Sequence, residues 1–576
     1  MTPRKAPIAA PVPRLAERAR APETTPTRKM NAAIPRPIQK TGDIAAGRLS
    51  DSAGLPISPK MNEAGGKNGK LILAAMIFAV AMMFIDQTIV AIAVPTIQED
   101  LSLSATGVQW IVNGYLLSLS ALFAFGGRLA DVAGHRRMLV LGVIVFATAS
   151  ALCGATPTGS LDEAWLITFR VIQGAGAAIM FPAALAIVLG AFPVSQRGRS
   201  MAIFFAITGG LTAVGPLAGG FLTEWTWRAI FWVNIPVAII ALFLTWKSKP
   251  ENVRHPAPID YRGTVLITGG MALLVLGLQQ ASVWGWGSAT TWICIAAGLA
   301  ILAAFVVYEL RVENPLLRLE VFRDRAFTVD NIILFLLMIP FVPLFFFASM
   351  YAQISLGESA SETGLYLLIF FAGFATASQW GGRILDRAGA RPSVVLGCAV
   401  AAVGFYLWGN SLTELSVGDQ WYFIVLAGAG VGLVLSPANT DALNRVPASR
   451  YGEATGITQT VRNFGSSIGL AILGTVLITQ NQSNLEATAA EHGVPKQTAD
   501  GIADAISQGG GAGGEGALQA GGAVGKVVAS IPHDFALATQ TVFYAFAGVM
   551  AVAFVVALAT MPSGKVEEPV EEPGGS

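Results

Sequence analysis

Apolar runs of about twenty residues, separated by short polar stretches, recur from residue 71 to residue 561. Lipid offers the backbone no hydrogen-bond partner, so a crossing segment satisfies itself as a helix and needs roughly 20 mostly apolar residues to traverse about 30 Å of hydrocarbon. On that measure the chain predicts fourteen spans. Six begin near residues 71, 108, 138, 164, 200 and 230, two near 262 and 290, and six near 327, 362, 391, 421, 454 and 537. The expected fold is an all-α polytopic membrane protein with a six-helix half over 71–250, two linking helices over 251–312 and a second six-helix half over 313–561. Residues 1–70 hold 13 basic residues, ten prolines and no apolar run, which predicts a disordered basic tail rather than a signal peptide. Met61, opening MNEAGGKNGK, offers a second start. A long loop is expected over 480–536, with SQGGGAGGEGALQAGGAVGK at 507–526 as linker, and 562–576 forms a short tail.

An even number of spans puts both termini on one side, and lysine and arginine placement decides which. With a cytoplasmic N-terminus the inner loops hold 18 basic residues, against three outside, Arg228, Lys496 and Lys526. Both termini are therefore expected in the cytoplasm and the protein in the cell membrane. Composition agrees, with 53% apolar residues, 13% charged residues and a mean hydropathy of +0.59. The net charge of +1 gives no ground for nucleic-acid binding. Cys153, Cys294 and Cys398 each lie in an apolar run and suggest neither a disulfide framework nor a metal site. No G-x-x-x-x-G-K-[ST] is present, which disfavours a nucleotide-driven pump, and the GAGVG at 428–432 follows no strand. H-E-x-x-H does not occur, and the single G-x-S-x-G, GSSIG at 465–469, lies inside an apolar span rather than in a strand-to-helix turn, so an enzyme has no candidate centre.

The string GGRLADVAGHRRMLVLG at 126–142 returns 255 residues later as GGRILDRAGARPSVVLG at 381–397, with ten of seventeen positions identical. Both copies fall in an inner loop between two spans. Internal repeats of this kind build secondary transporters, whose substrate sites lie near mid-membrane between the repeats.

The first copy resembles the signature of the major facilitator superfamily in the loop between helices 2 and 3, through Gly127, Leu129, Ala130, Asp131, Gly134 and Arg136, with Val132 where that family usually has arginine. The second, with Gly382, Asp386, Arg387, Gly389 and Arg391, resembles its counterpart in the other half. LITFRVIQGAGAA at 166–178 is similar to the family's helix 4 pattern. GPLAGG at 215–220 resembles the helix 5 antiporter signature, with Leu211 in place of its leading glycine. IDQTIVAIAVPTI at 85–97 and WRAIFWVNIP at 227–236 resemble the fourteen-helix drug/proton antiporters of that superfamily, although Ala91 stands where asparagine is usual. The resemblance spans 71–561. It implies the major facilitator fold with 14 transmembrane helices, two six-helix halves plus two central ones, and proton-coupled efflux of hydrophobic or cationic drugs by alternating access.

Ionisable side chains deep in a bilayer cost roughly 2.5 to 3.5 kcal/mol on insertion scales and persist where they have a task or a partner. Asp86 and Arg170 fall at comparable depths in the first and fourth spans, and the resemblance makes those helices neighbours facing the central cavity. Asp86 is the expected proton-coupling or cation-sensing carboxylate and Arg170 its modulator; a purely structural ion pair is the competing reading. Gly215, Pro216, Gly219 and Gly220 give helix 5 a flat and pliable surface that either seals the cavity or simply packs closely. The resemblance assigns Gly127, Asp131, Gly134, Arg136, Asp386 and Arg391 to gating, with Asp131 meeting the end of a helix from the other half. Trp110, Tyr115, Gln173 and Arg462 are candidate cavity residues, as are the phenylalanines at 345–347. For Arg462 the alternative is snorkelling to water. Asp330 and Asp441 read as interfacial. A monomer acting on small molecules and protons, with no cofactor beyond the proton gradient, is expected. An exporter dedicated to one metabolite or antibiotic, and a non-transporting receptor or channel, stay open.

Overall fold

The computed structural model describes residues 67–103, 105–254, 257–498, 501 and 523–565. Fourteen long helices run through them. The first half contains α1 (Lys67–Leu101), α2 (Ala105–Ala133), α3 (His135–Gly154), α4 (Asp162–Ala191), α5 (Val194–Trp225) and α6 (Asn234–Ser248), the last preceded by a single turn at Ala229–Trp232. Two linking helices follow, α7 (Tyr261–Gln279) and α8 (Ala289–Glu309). The second half contains α9 (Arg325–Ile354), α10 (Ala360–Ala388), α11 (Ala390–Ser411), α12 (Val417–Asn444), α13 (Tyr451–Glu491) and α14 (Ala523–Thr560). Twelve helices among the described residues are long and apolar enough to cross a membrane. The other two, α5 and α10, have spanning lengths of 32 and 29 residues but carry more glycine and polar side chains. Those two lie against each other between the halves.

In the first half α4 packs against α2 and α3, while α1 packs against α5 and α6; in the second, α12 packs against α10 and α11, and α14 against α11 and α13. Glycine sets the closest approaches. Gly430 of α12 faces the backbone of Ala401 in α11 so tightly that a Cβ would overlap it. The glycines of GAGVG are thus helix-packing residues. The halves meet along two seams, α2 with α13 and α5 with α10. Beside the first seam sits the linking pair. The Asn113 amide of α2 donates to Gln280 Oε1 at 3.2 Å, and the Trp286 indole donates to Thr475 Oγ1 of α13 at 2.7 Å. Much of α8 faces outward, with Trp292 and Ile293 more than half exposed, as expected for a helix against lipid.

The loop expected over 480–536 is helical at both ends, since α13 continues to Glu491 and α14 begins at Ala523. The extensions pack on each other. Leu485, Val527 and Ile531 are fully buried, Asp534 Oδ2 accepts from Thr488 and Ser530, and the Asn484 amide donates to the Asp534 carbonyl. A helix buried against a neighbour needs only one apolar face, so mean hydropathy falls where helicity does not. The tail up to residue 66, the linker at 502–522 and residues 566–576 lie outside the described residues.

Candidate functional site

Along α1, Asp86 meets Arg170 of α4. The Arg170 Nη1 donates to Asp86 Oδ2 at 2.6 Å and to Gln173 Oε1 at 2.8 Å, and Gln173 Nε2 donates to Asp86 Oδ1 at 2.8 Å. These bonds close a three-residue ring. Arg170 and Gln173 are one turn apart, so α4 presents both on one face. Arg170 Nε also donates to the Ile111 carbonyl of α2 at 2.9 Å, and its guanidinium carbon lies 4.4 Å from the centre of the Tyr115 ring. Asp86, Gln173 and Tyr115 are fully buried. Tyr115 and Gln173, expected on a cavity wall, therefore belong to this closed cluster.

A buried ion pair holds only where additional hydrogen bonds satisfy its remaining donors and acceptors, and removing one member leaves an uncompensated charge worth about 3 to 5 kcal/mol. The ring meets that condition. Gln173→Ala leaves both ions one hydrogen bond short, an expected cost of about 1 to 3 kcal/mol. It should lower the melting temperature of the purified protein and reduce transport, whereas an unchanged melting temperature would show that the amide contributes nothing.

Helix α5 reaches the same region of α1. Gly215 lies against Thr88 and the Ile85 carbonyl, and a Cβ there would overlap Thr88 Oγ1, which donates to the Thr212 carbonyl at 2.9 Å. A residue with a side chain would push α5 off α1 within two residues of Asp86. Gly219 is buried, and a Cβ on Gly220 would make only ordinary contact with Ser361 of α10. The side chain of Pro216 lies outside the described residues.

The two copies of the repeated string make the same kind of crossing. Asp131, at the end of α2, accepts from the backbone N–H groups of Gly452 and Glu453 in the first turn of α13, at 2.8 and 2.6 Å. Asp386, at the end of α10, accepts from those of Gly198 and Arg199 in α5, at 2.9 and 3.1 Å. Each aspartate thus reaches into the opposite half. Gly127 and Gly382 permit the approach, since a Cβ on either would enter the carbonyl of Gly452 or Gly198. Gly134 (φ +105°) and Gly389 (φ +84°) turn the chain sharply into α3 and α11 through backbone that favours glycine. Around Asp131, His135 Nε2 lies 2.8 Å from Oδ1, Arg128 lies 3.8 Å from Glu453, and the Arg318 N–H donates to Glu453. Arg391 donates to the Leu558 carbonyl in the last turn of α14 at 3.0 Å. Arg136 is half-buried and makes no ion pair among the described residues.

Comparison with known proteins decides the family. The model of the Major Facilitator Superfamily matches residues 76–470. The chain belongs to this superfamily. It is 35% identical over 415 residues to the tetracenomycin C resistance and export protein of Streptomyces glaucescens, covering 71% of this chain and 76% of that one. It is 32% identical over 425 residues to the multidrug resistance protein Stp of Mycobacterium tuberculosis (72% and 77%), and 34% over 444 residues to the puromycin resistance protein pur8 of Streptomyces alboniger (75% and 85%). Among solved structures, the fold is similar to the proton:xylose symporter XylE, with a TM-score of 0.56 at 12% identity over 86% of this chain and 96% of that one. The chain is a multi-pass membrane transporter of the superfamily, and its fourteen long helices match the fourteen-helix drug/proton antiporters.

The other candidates separate. Trp110 is half-buried and stands outside the Asp86 cluster. Phe345 stacks on Phe371 of α10 with ring centres 5.2 Å apart, Phe347 packs against Phe546 of α14, and Phe346 is exposed as if to lipid. Asp330 and Asp441 are buried within the second half rather than interfacial, and Asp441 pairs with Arg445 at 3.0 Å. Their position five residues into α9 and three from the end of α12 suggested an interface, but neighbouring helices cover both. Gly198 and Gly452, the docking partners of the two aspartates, went unrecognised. A signal existed, since they lie 254 residues apart, one short of the repeat interval.

Proposed function

We propose that the protein is a proton-coupled exporter of hydrophobic, often cationic, small molecules that works by alternating access between its halves. The observation that carries this reading is the buried Asp86, Arg170 and Gln173 ring in contact, through α1, with the Gly215 surface of α5. Proton uptake at Asp86 releases Arg170 from its counter-charge, and the resulting repacking of α1 against α4 and α5 shifts the halves. Drug binding and protonation then compete. The arginine-rich ends are cytoplasmic, both termini lie on that side of the cell membrane, and the glycine, aspartate and arginine residues of the two crossings gate that end. The working unit is a monomer without a cofactor, driven by the proton gradient. Each proton crossing 100 mV contributes about 2.3 kcal/mol, which supports a gradient of roughly fifty-fold for a neutral drug. Relatives named for drug resistance and export support the substrate class. Others named for a single compound, such as the cephamycin export protein of Amycolatopsis lactamdurans, 34% identical over 409 residues, favour a second reading, an exporter dedicated to one metabolite or antibiotic. Inside-out vesicles test the first. Accumulation of a cationic dye should collapse when a protonophore is added, and flux indifferent to the pH difference would overturn proton coupling.

A further inference from the structure

The second half carries an arginine as deep as Arg170 that lacks what Arg170 has. Arg462 lies eleven residues past the start of α13, about 17 Å along the helix, too deep for its side chain to snorkel back to that end. It is 7% exposed, and neither Nε nor Nη1 has a hydrogen-bond partner. Among the described residues it makes no ion pair. Its guanidinium carbon lies 5.9 Å from the centre of the Phe205 ring on α5, so it sits where the two halves meet, the region in which alternating access places the cargo.

Two polar groups near it on α13 are unmet in the same sense. Thr458, one turn earlier and on the same side of α13, is 1% exposed with no partner for its hydroxyl, and the Asn463 amide nitrogen is buried and unpaired. All three can donate hydrogen bonds. The unpaired carboxylate and amide oxygens of this half lie on Asp330 and Asn331 of α9, Asn439 and Asp441 of α12, and Glu453 and Asn481 of α13, nine and nineteen residues from Arg462 along that helix. A buried, unpaired guanidinium is costly unless an opposite charge and further hydrogen bonds compensate it. Arg170 finds both inside the protein. Arg462 does not, and a planar fork of donors beside an aromatic ring is suited to a carboxylate attached to an arene.

We propose that Arg462, with Thr458 and Asn463, forms a carboxylate-binding subsite in the second half, so that the cargo includes acidic and zwitterionic aromatic compounds. This rests on the efflux reading and adds a substrate class to it. The test uses a xanthene dye with a free benzoate group and the methyl ester of the same dye, each offered to inside-out vesicles containing the full chain. Wild-type protein should prefer the acid. Arg462→Gln should weaken the apparent affinity for the acid by about tenfold or more, the scale of a lost charged hydrogen bond, and leave the ester within about twofold. Ester transport also reports that the variant is folded. Should Arg462→Gln fail to accumulate, Arg462→Lys carries the comparison, because it keeps the charge and loses the fork; it too should lose acid preference and keep the ester. Equal losses for both dyes, or an undiminished preference for the acid, would overturn the inference. So would discrimination that follows chloride concentration rather than dye charge. Ester transport without any preference for the acid in wild type overturns this inference alone, and transport of neither dye counts against the efflux reading as well.

Discussion

Asp86→Asn protein, reconstituted in vesicles, moves no drug uphill when a pH difference is imposed, although it still binds drug. The amide keeps the size of the side chain and an oxygen to accept from Arg170, but it takes up no proton in the working range. Driven accumulation should fall to the level of empty vesicles, as the coupling reading requires. The single variant leaves Arg170 buried without its counter-charge, at an expected cost of about 3 to 5 kcal/mol, so low yield would by itself be ambiguous. Asp86→Asn with Arg170→Gln resolves this. Removing both charges together spares most of that penalty, and the double variant should accumulate and melt closer to wild type while remaining uncoupled. A double variant that pumps as well as wild type would leave the pair a structural role only.

How far this site could be read in the sequence depended on what kind of signal each residue carries. Asp86 and Arg170 stood out because a charge in an apolar run violates the pattern around it, and helix rise placed them at comparable depths. That Gln173 joins them did not stand out, since a neutral amide in a span violates much less, and the i, i+3 relation to Arg170 acquires meaning only once α1 is known to pass that face of α4. Apolar runs marked all fourteen helices, and twelve of them are apolar enough by themselves to cross a membrane, because lipid enforces that pattern, whereas α5 and α10 carry more glycine and polar side chains. Where α13 and α14 pack on each other beyond residue 480 and before residue 537, one apolar face suffices, the hydropathy signal weakens and the expected loop was wrong at both ends. Arg462 shows the opposite limit. Its place within a span was legible, but its depth stayed open against snorkelling, and whether it had a partner is a property of α5 and α9 as well as α13, which no local pattern encodes.

Asp131→Asn should slow turnover without removing drug binding, and the reason lies in where the carboxylate ends. Its two oxygens take the N–H groups of Gly452 and Glu453, donors that a helix leaves unpaired in its first turn and that carry the positive end of its dipole. The amide can serve only one of them as an acceptor and brings no charge. The expected loss is about 1 to 3 kcal/mol, which lowers the preference for a closed arginine-rich end by roughly five- to 150-fold. Cysteine cross-linking across the α2–α13 seam should fall accordingly, while the affinity for drug, set deeper between the halves, stays within about twofold. Asp386→Asn acts on the α5–α10 seam by the same chemistry. Because Asp386 is less buried than Asp131 and meets the second turn of α5 rather than its first, its effect should be the smaller of the two. Loss of drug binding in a folded Asp131→Asn protein would mean that this aspartate serves the cargo site as well, and that the two crossings cannot be separated from substrate recognition.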